Sequence, residues 1–187
     1  KQGQPTSTEL TEVMFTNDLG SIILTFDSPT NRFEMNANSF QCNLLLNVTA
    51  SDEYSCRFAS NSQLYIMING RDSLNVGSNV NLSPSKLKAE CIQIAGIPCD
   101  TWGYSAPKTM IVLAPLNAIA PTLSIVAPEV LGLCSDLEID LSASTGSGGR
   151  PWVVKFTVYE SGNSSPDDAL SNVLNNGTNS NPYIYPV

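Results

Sequence analysis

The stretch Ser21-Ile-Ile-Leu-Thr-Phe-Asp27 decides the fold class. It is β-branched and aromatic, and Asp18-Leu-Gly20 and Asp27-Ser-Pro29 bound it with turn residues, the pattern of a strand. Further along, Gln63-Leu-Tyr-Ile-Met-Ile68 is a second such run, closed by the turn signal Asn69-Gly70. Val80-Asn-Leu82, Leu87 to Ile94 and Lys108-Thr-Met-Ile-Val-Leu113 add further short strands. Residues 11–113 thus hold about seven extended runs at spacings of roughly 8–15 residues, the cadence of an antiparallel, immunoglobulin-like β-sandwich.

Upstream of this first module, residues 1–10 have no hydrophobic periodicity and read as a linker or inter-unit tail. Downstream, residues 114–128 carry prolines at 115, 121 and 128, which exclude a central strand. They are expected to form an extended connector together with the first strand of the next module, which continues as a partial module over 129–187. Within that module Leu137-Glu-Ile-Asp-Leu141 and Trp152 to Tyr159 alternate and predict strands. One helix is predicted over Pro166 to Asn175. Ser165 would be its N-cap, Asp167 and Asp168 would favour its positive end, and Asn176-Gly177 would stop it. Leu170, Val173 and Leu174 would form its apolar stripe, laid over a sheet edge or end.

Composition narrows the function classes. A chain of 187 residues and 20.0 kDa can bury roughly 70% of its unfolded surface, enough for a real core. Charged residues make up 14%, against about 25% in an average domain. Asn, Ser and Thr fill the gap at 54 positions, which predicts a polar but uncharged surface. A net charge of −8 argues against nucleic acid and against anionic membrane surfaces, both of which need clustered cations. There is no histidine, which removes Ser-His-Asp and Cys-His catalysis and His-ligated zinc. No apolar run approaches membrane-spanning length, so no membrane insertion is expected. The chain starts at Lys1 without an apolar signal segment and reads as a processed product or an excised piece.

Five cysteines stand at 42, 56, 91, 99 and 134 with no CxxC spacing, so a zinc site has little support. Cys42 and Cys56 flank a polar turn, and Cys91 and Cys99 bracket a short loop with Gly96 and Pro98; both pairs suit local disulfides. Cys134 is left to pair outside the chain or to stay a thiol. Four sequons begin at Asn47, Asn81, Asn163 and Asn176, each in a predicted turn or loop. Pro84 and Pro166 follow two of them and weaken Asn81 and Asn163 as acceptors of N-linked glycans.

Other motifs carry less chemistry. Thr145-Gly-Ser-Gly-Gly-Arg150 lacks the Gly-Lys-Ser/Thr of a phosphate loop and reads as a hairpin loop. Asp18, Asp27, Asp52, Glu53, Asp136 and Asp140 are scattered, without EF-hand spacing, and read as solvated turn residues rather than calcium ligands. Trp102 and Tyr104 could stack on a sugar, although packing is the commoner use of such rings.

The segment Cys134 to Trp152 resembles the start of the egg-jelly-receptor (REJ) and PKD-like modules of polycystin relatives and of long protist and algal surface proteins. The similar elements are Cys134, the Leu137/Ile139/Leu141 strand, Ser142-Ala-Ser144, the Gly148-Gly-Arg150 turn and Trp152. Upstream, Gly20 to Asp27, Cys42, Cys56 and Leu64 to Ile68 look like the module that often precedes it. The resemblance implies tandem β-sandwich modules in an extracellular protein with adhesive or structural roles, and carries over no catalytic residue. Residues 121–187 fall short of the roughly 100 that an immunoglobulin-like sandwich uses, so the second module is expected to lack closing strands.

The resulting expectation is a non-enzymatic, cofactor-free, secreted structural protein, a repeat unit of a filament or surface coat. Neighbouring copies would meet end to end through Pro5, Leu10, Val13 and Phe15 on one side and Tyr183 and Tyr185 on the other, by strand exchange or within a covalent tandem array. The alternatives are an adhesin or receptor ectodomain that binds glycan or protein, and a hydrolase working through two carboxylates.

Overall fold

The computed structural model describes residues 7–34, 38–50, 52–71, 73–91, 98–132, 135–150, 152–176 and 183–185. The chain divides into two units, Lys1–Ile119 with Ser147–Arg150, and Ala120–Gly146 with Pro151–Val187.

The first unit contains β1 (Leu10–Phe15), β2 (Ser21–Phe26), β3 (Phe40–Gln41), β4 (Leu46–Asn47), β5 (Ser55–Ser60), β6 (Gln63–Met67), β7 (Asn79–Leu82) and β8 (Lys108–Ile111). They form two antiparallel sheets, ordered β1-β2-β6-β5-β3 and β4-β7-β8. Alternation drives the packing: Ile22, Leu24 and Phe26 of β2 and Leu64 and Ile66 of β6 point inward, as do Val80 and Leu82 of β7. These residues share one core, so the architecture is an all-β sandwich.

A register shift between Leu10 and Glu12 resets the parity of β1, so Leu10, Val13 and Phe15 all face inward. This corrects two expectations. Residues 7–10 are not linker, and Leu10, Val13 and Phe15 are core residues rather than inter-unit contacts, at 0%, 0% and 3% exposure. The N-terminal segment is tied down by Asp27, whose Oδ1 accepts from Glu9 N at 2.8 Å and from Thr8 Oγ1 at 3.3 Å. Pro5 lies outside the described residues. At the other end of β1, Phe15 N donates to Leu113 O (3.1 Å) and Leu113 N to Val13 O (2.9 Å), a parallel contact joining the two sheets at one corner. The Glu9–Lys108 ion pair at 3.6 Å keeps the same sequence offset.

Cys42–Cys56 is a disulfide with a Cα separation of 5.0 Å, and both cysteines are fully buried. It joins the 3-10 turn Cys42–Leu44 to β5, where Phe40 pairs with Cys56 and Cys42 N donates to Tyr54 O. Cys91–Cys99 is a second disulfide, nearer the surface, with a Cα separation of 5.6 Å. Cys134 lies outside the described residues. The expected strand over Leu87 to Ile94 is reduced to single bridges at Lys88 and Ala89, because their partners, Tyr104 and Thr30, lie in two different loops; residues 92–94 lie outside the described residues.

Ser147–Arg150 belongs to the first unit and is not a free hairpin tip. The Arg150 guanidinium sits 5.6 Å from the Phe15 ring centroid and donates to Leu19 O and Leu74 O, each at 3.4 Å. Gly148 has φ +64 and lies so close to Asp18 and Leu19 that an added Cβ would meet Asp18 O at 2.9 Å. The connector also divides: Ile119 N donates to Asn17 O at 2.8 Å, so residues up to 119 complete the first unit.

In the second unit, Thr122 and Val126 bridge to Thr145 and Asp140. β9 (Leu137–Ile139) pairs antiparallel with β10 (Tyr183–Tyr185), so the strand carrying Tyr183 and Tyr185 is used within its own unit. Trp152 to Tyr159 keeps its alternating exposure but is not a sheet strand. Side chains of helix α1 (Asp168–Asn175) take the hydrogen bonds a neighbouring strand would have made. Phe156 N donates to Asn175 Oδ1 (2.8 Å), Asn175 Nδ2 to Phe156 O (2.7 Å), and Val158 N to Ser171 Oγ (2.9 Å). The helix starts later than expected because Asp167, not Ser165, caps it, accepting from Leu170 N at 2.9 Å. Ser171 and Leu174 are its buried face, whereas Leu170 and Val173 are exposed, since the helix packs through 171 and 174 onto Ile139 and Leu141.

The Asp27 carboxyl is held below its ordinary pKa, first by the Glu9 N–H, against the opposing effect of burial, and further by the Ser28 and Thr8 hydroxyls. A lowered folded pKa means that the folded state binds this proton less readily than the unfolded chain. Its contribution is therefore complete above the unfolded value of about 4 and disappears as pH falls through the lowered folded value. Urea midpoints of wild type and Asp27→Asn should differ most at neutral pH and converge in acid; a constant gap would contradict the role given to Asp27.

Candidate functional site

The most site-like feature of the first unit is a hollow of 110 Å3 lined by Asn31, Phe33, Glu34, Ser85, Lys86 and Tyr104. Two asparagines, Asn31 in its lining and Asn61 behind it in the hydrogen-bond network, fasten the loops around it. Asn31 Oδ1 accepts from Phe33 N (3.2 Å) and from Lys88 N (3.0 Å), and Asn31 N donates to Lys88 O. Asn61 O accepts from Thr30 Oγ1, Asn61 Oδ1 accepts from Arg32 Nε at 2.7 Å, and Asn61 Nδ2 donates to Glu90 Oε1 at 2.6 Å. Three loops, at 29–34, 60–62 and 85–90, are thereby fastened together.

This fastening holds an unusual backbone. Arg32, Phe33 and Glu34 are consecutive left-handed residues with φ of 51, 54 and 56, and Ser85 on the facing wall has φ 56. For residues with a Cβ each such conformation costs about 1–2 kcal/mol, and strain of this kind concentrates at functional sites. Left-handed backbone at 32–34 turns Phe33 toward Phe40, at 6.5 Å between ring centroids, while Lys86 Nζ lies 5.6 Å from the Phe33 centroid.

The opposite wall is supplied by Tyr104, five residues beyond the Cys91–Cys99 disulfide. A 3-10 turn at Cys99–Thr101 follows the disulfide, Ser105 N donates to Leu87 O at 2.7 Å, and Tyr104 bridges to Lys88. Tyr104 is left 49% exposed, with Lys88 Nζ 4.5 Å from its ring centroid and also donating to Asp100 O. Trp102 is 4% exposed and serves packing, so of the two rings considered for stacking only Tyr104 faces a surface. One lysine, Lys86, and one carboxylate, Glu34, line the hollow, and Lys88 stands over the ring of Tyr104.

The sequons do not all lie in loops. Asn47 is in β4 and Asn81 in β7, and they are direct cross-strand partners. Both positions keep the residues around them in the ladder: Asn81 Nδ2 donates to Asn47 O at 3.1 Å, and Asn81 Oδ1 accepts from Thr109 Oγ1. Asn47 is exposed and Asn81 half-buried. Asn163 is exposed in a turn, with its Oδ1 accepting from Ser165 N, and Asn176 is exposed at the C-cap of α1.

The acids considered as calcium ligands are dispersed over turns and caps. Asp18 accepts from Gly20 N and from Thr16 Oγ1, Asp140 accepts from Ser142 N and Oγ, and Glu53 pairs with Arg71 at 2.7 Å. Asp18 is held below its usual pKa chiefly by Thr16, and Asp140 chiefly by the Ser142 N–H. No group of three His, Cys, Asp or Glu able to hold a metal is found among the described residues. No helix among them is long and apolar enough to cross a membrane.

Fold and covalent chemistry together define a disulfide-bonded all-β sandwich protein. No protein-family model, curated protein or solved structure matches the chain.

Proposed function

We propose that the chain is an extracellular structural module, part of a filament, surface coat or adhesive stalk built from tandem β-sandwiches of the PKD/REJ-like kind. The observation that carries this reading is the Cys42–Cys56 disulfide. It is fully buried in the core, where it supports the fold and is out of reach of a redox partner. A disulfide used in this way belongs to an oxidising compartment. The low charge and the asparagine-rich surface agree with secretion and N-glycosylation.

Copies of the module act as neighbours in an end-to-end array. Withdrawing β1 to pair with another copy would expose Leu10, Val13 and Phe15, at about 1.5–3 kcal/mol each. That favours covalent tandem repeats over strand exchange. A carboxylate-dependent hydrolase finds less support, because the hollow has one carboxylate, Glu34, where such enzymes use two.

Production in a secreting eukaryotic cell tests the reading. The expected product is secreted with both disulfides formed and one glycan on the β4–β7 pair, at Asn47. Asn81 should stay bare because Pro84 follows its sequon and its amide nitrogen is committed to Asn47 O. Asn47→Gln should therefore remove that glycan without transferring it to Asn81. A folded protein that accumulates with free thiols and no glycan would overturn the extracellular assignment. In native material, mass after denaturation and reduction well above 20.0 kDa is expected for the tandem array.

A further inference from the structure

We propose that the hollow between residues 31–34, 85–86 and Tyr104 binds the terminal ring of a glycan that ends in a carboxylate-bearing sugar, of the hexuronic acid class. This goes beyond the structural role and does not depend on it. A volume of 110 Å3 suits one sugar ring rather than a peptide or an extended chain. The wall combines what such a ring needs. Phe33 and exposed Tyr104 offer flat apolar surface to its C–H face. Asn31, Ser85 and Glu34 carry polar groups that match hydroxyls. Lys86 stands in the wall, so a carboxylate entering here meets its ammonium group, while Lys88 stands over the Tyr104 ring.

Sign decides between an acidic and a neutral sugar. Of the two charged residues in the lining, Lys86 would pair with a carboxylate and Glu34 would accept from a hydroxyl. The site is also held in shape before any ligand arrives. Its left-handed turn at 32–34 is fixed by Thr30, Asn31 and Asn61, and its Tyr104 wall follows the Cys91–Cys99 disulfide. A rigid site of this kind loses little on binding. The surface disulfide thus acquires a positioning role for Tyr104.

The test is an amide NMR titration of the full chain with methyl β-D-glucuronoside, a mimic of a glycan end, against methyl β-D-glucoside and acetate. Saturable shifts confined to residues 31–34, 85–88 and 104, with millimolar affinity about fivefold or more above the neutral sugar, are expected. Acetate should give no localised shift. Lys86→Glu and Tyr104→Ala should each weaken binding about fivefold or more, with urea midpoints unchanged because both side chains are exposed. The proposal is overturned if the glucuronoside gives no localised shifts, if the glucoside binds equally well, or if both variants bind like wild type.

Discussion

Replacing Cys42 and Cys56 together by alanine is expected to lower the stability of the first unit by about 4–5 kcal/mol. Loop entropy accounts for about 3 kcal/mol, since the bridge spans 14 residues. The remainder, about 1–2 kcal/mol, comes from emptying space in a core where both side chains are fully buried. The second bridge separates these two contributions. Cys91–Cys99 spans eight residues, and its loop entropy of about 2.5 kcal/mol is nearly the same. It lies near the surface, so its double serine variant should lose about that amount and no more. Urea unfolding of the two variants under non-reducing conditions checks this. Equal losses would mean that burial of the first bridge contributes nothing.

Ile66→Ala should be the most damaging single substitution in the sandwich, at about 3–4 kcal/mol. Ile66 lies in the middle strand of the five-stranded sheet, is 0% exposed, and stands directly opposite Ile22 on one side and Cys56 on the other. Truncating it opens a cavity against the disulfide, so its effect should not add to that of the double cysteine variant. A coupling of about 0.5 kcal/mol or more is expected between neighbours of this kind. Val153→Ala, at a position 97% exposed in the second unit, should stay within about 0.5 kcal/mol of wild type. Additive losses for Ile66 and the cysteine pair would contradict the packing of Ile66 against Cys56.

The sandwich was legible where alternation was clean. β2, β6 and β7 announce themselves because every second residue is apolar and turn residues stand at their ends. The expected tail runs on to residue 10 because the bulge after Leu10 breaks the period and leaves polar Thr11-Glu12 between Leu10 and Val13. Trp152 to Tyr159 shows the reverse failure. Its period of two is real, but period reports which face is covered and not which groups satisfy the backbone, and here Ser171 and Asn175 do so. The helix start was misplaced because Ser165 and Asp167 are equally good cap residues locally.

The hollow was mostly hidden. Arg32-Phe-Glu34 contains no glycine or asparagine to advertise left-handed backbone, and besides Thr30 and Asn31 the contact that fixes it comes from Asn61, far along the chain. The available signals were Asn31, whose side chain favours local turns, and Tyr104, weighed together with Trp102 between sugar stacking and packing.

The return of Ser147–Arg150 to the first unit bears on how the molecule is made. On a ribosome, residues up to 119 emerge well before the arginine that covers Phe15, and the first 27 residues of the other unit, Ala120–Gly146, come between them. The nascent sandwich therefore waits with one side of Phe15 uncovered until position 150 has been synthesised. A fragment cut at the obvious proline-rich seam would be frozen in that unfinished state.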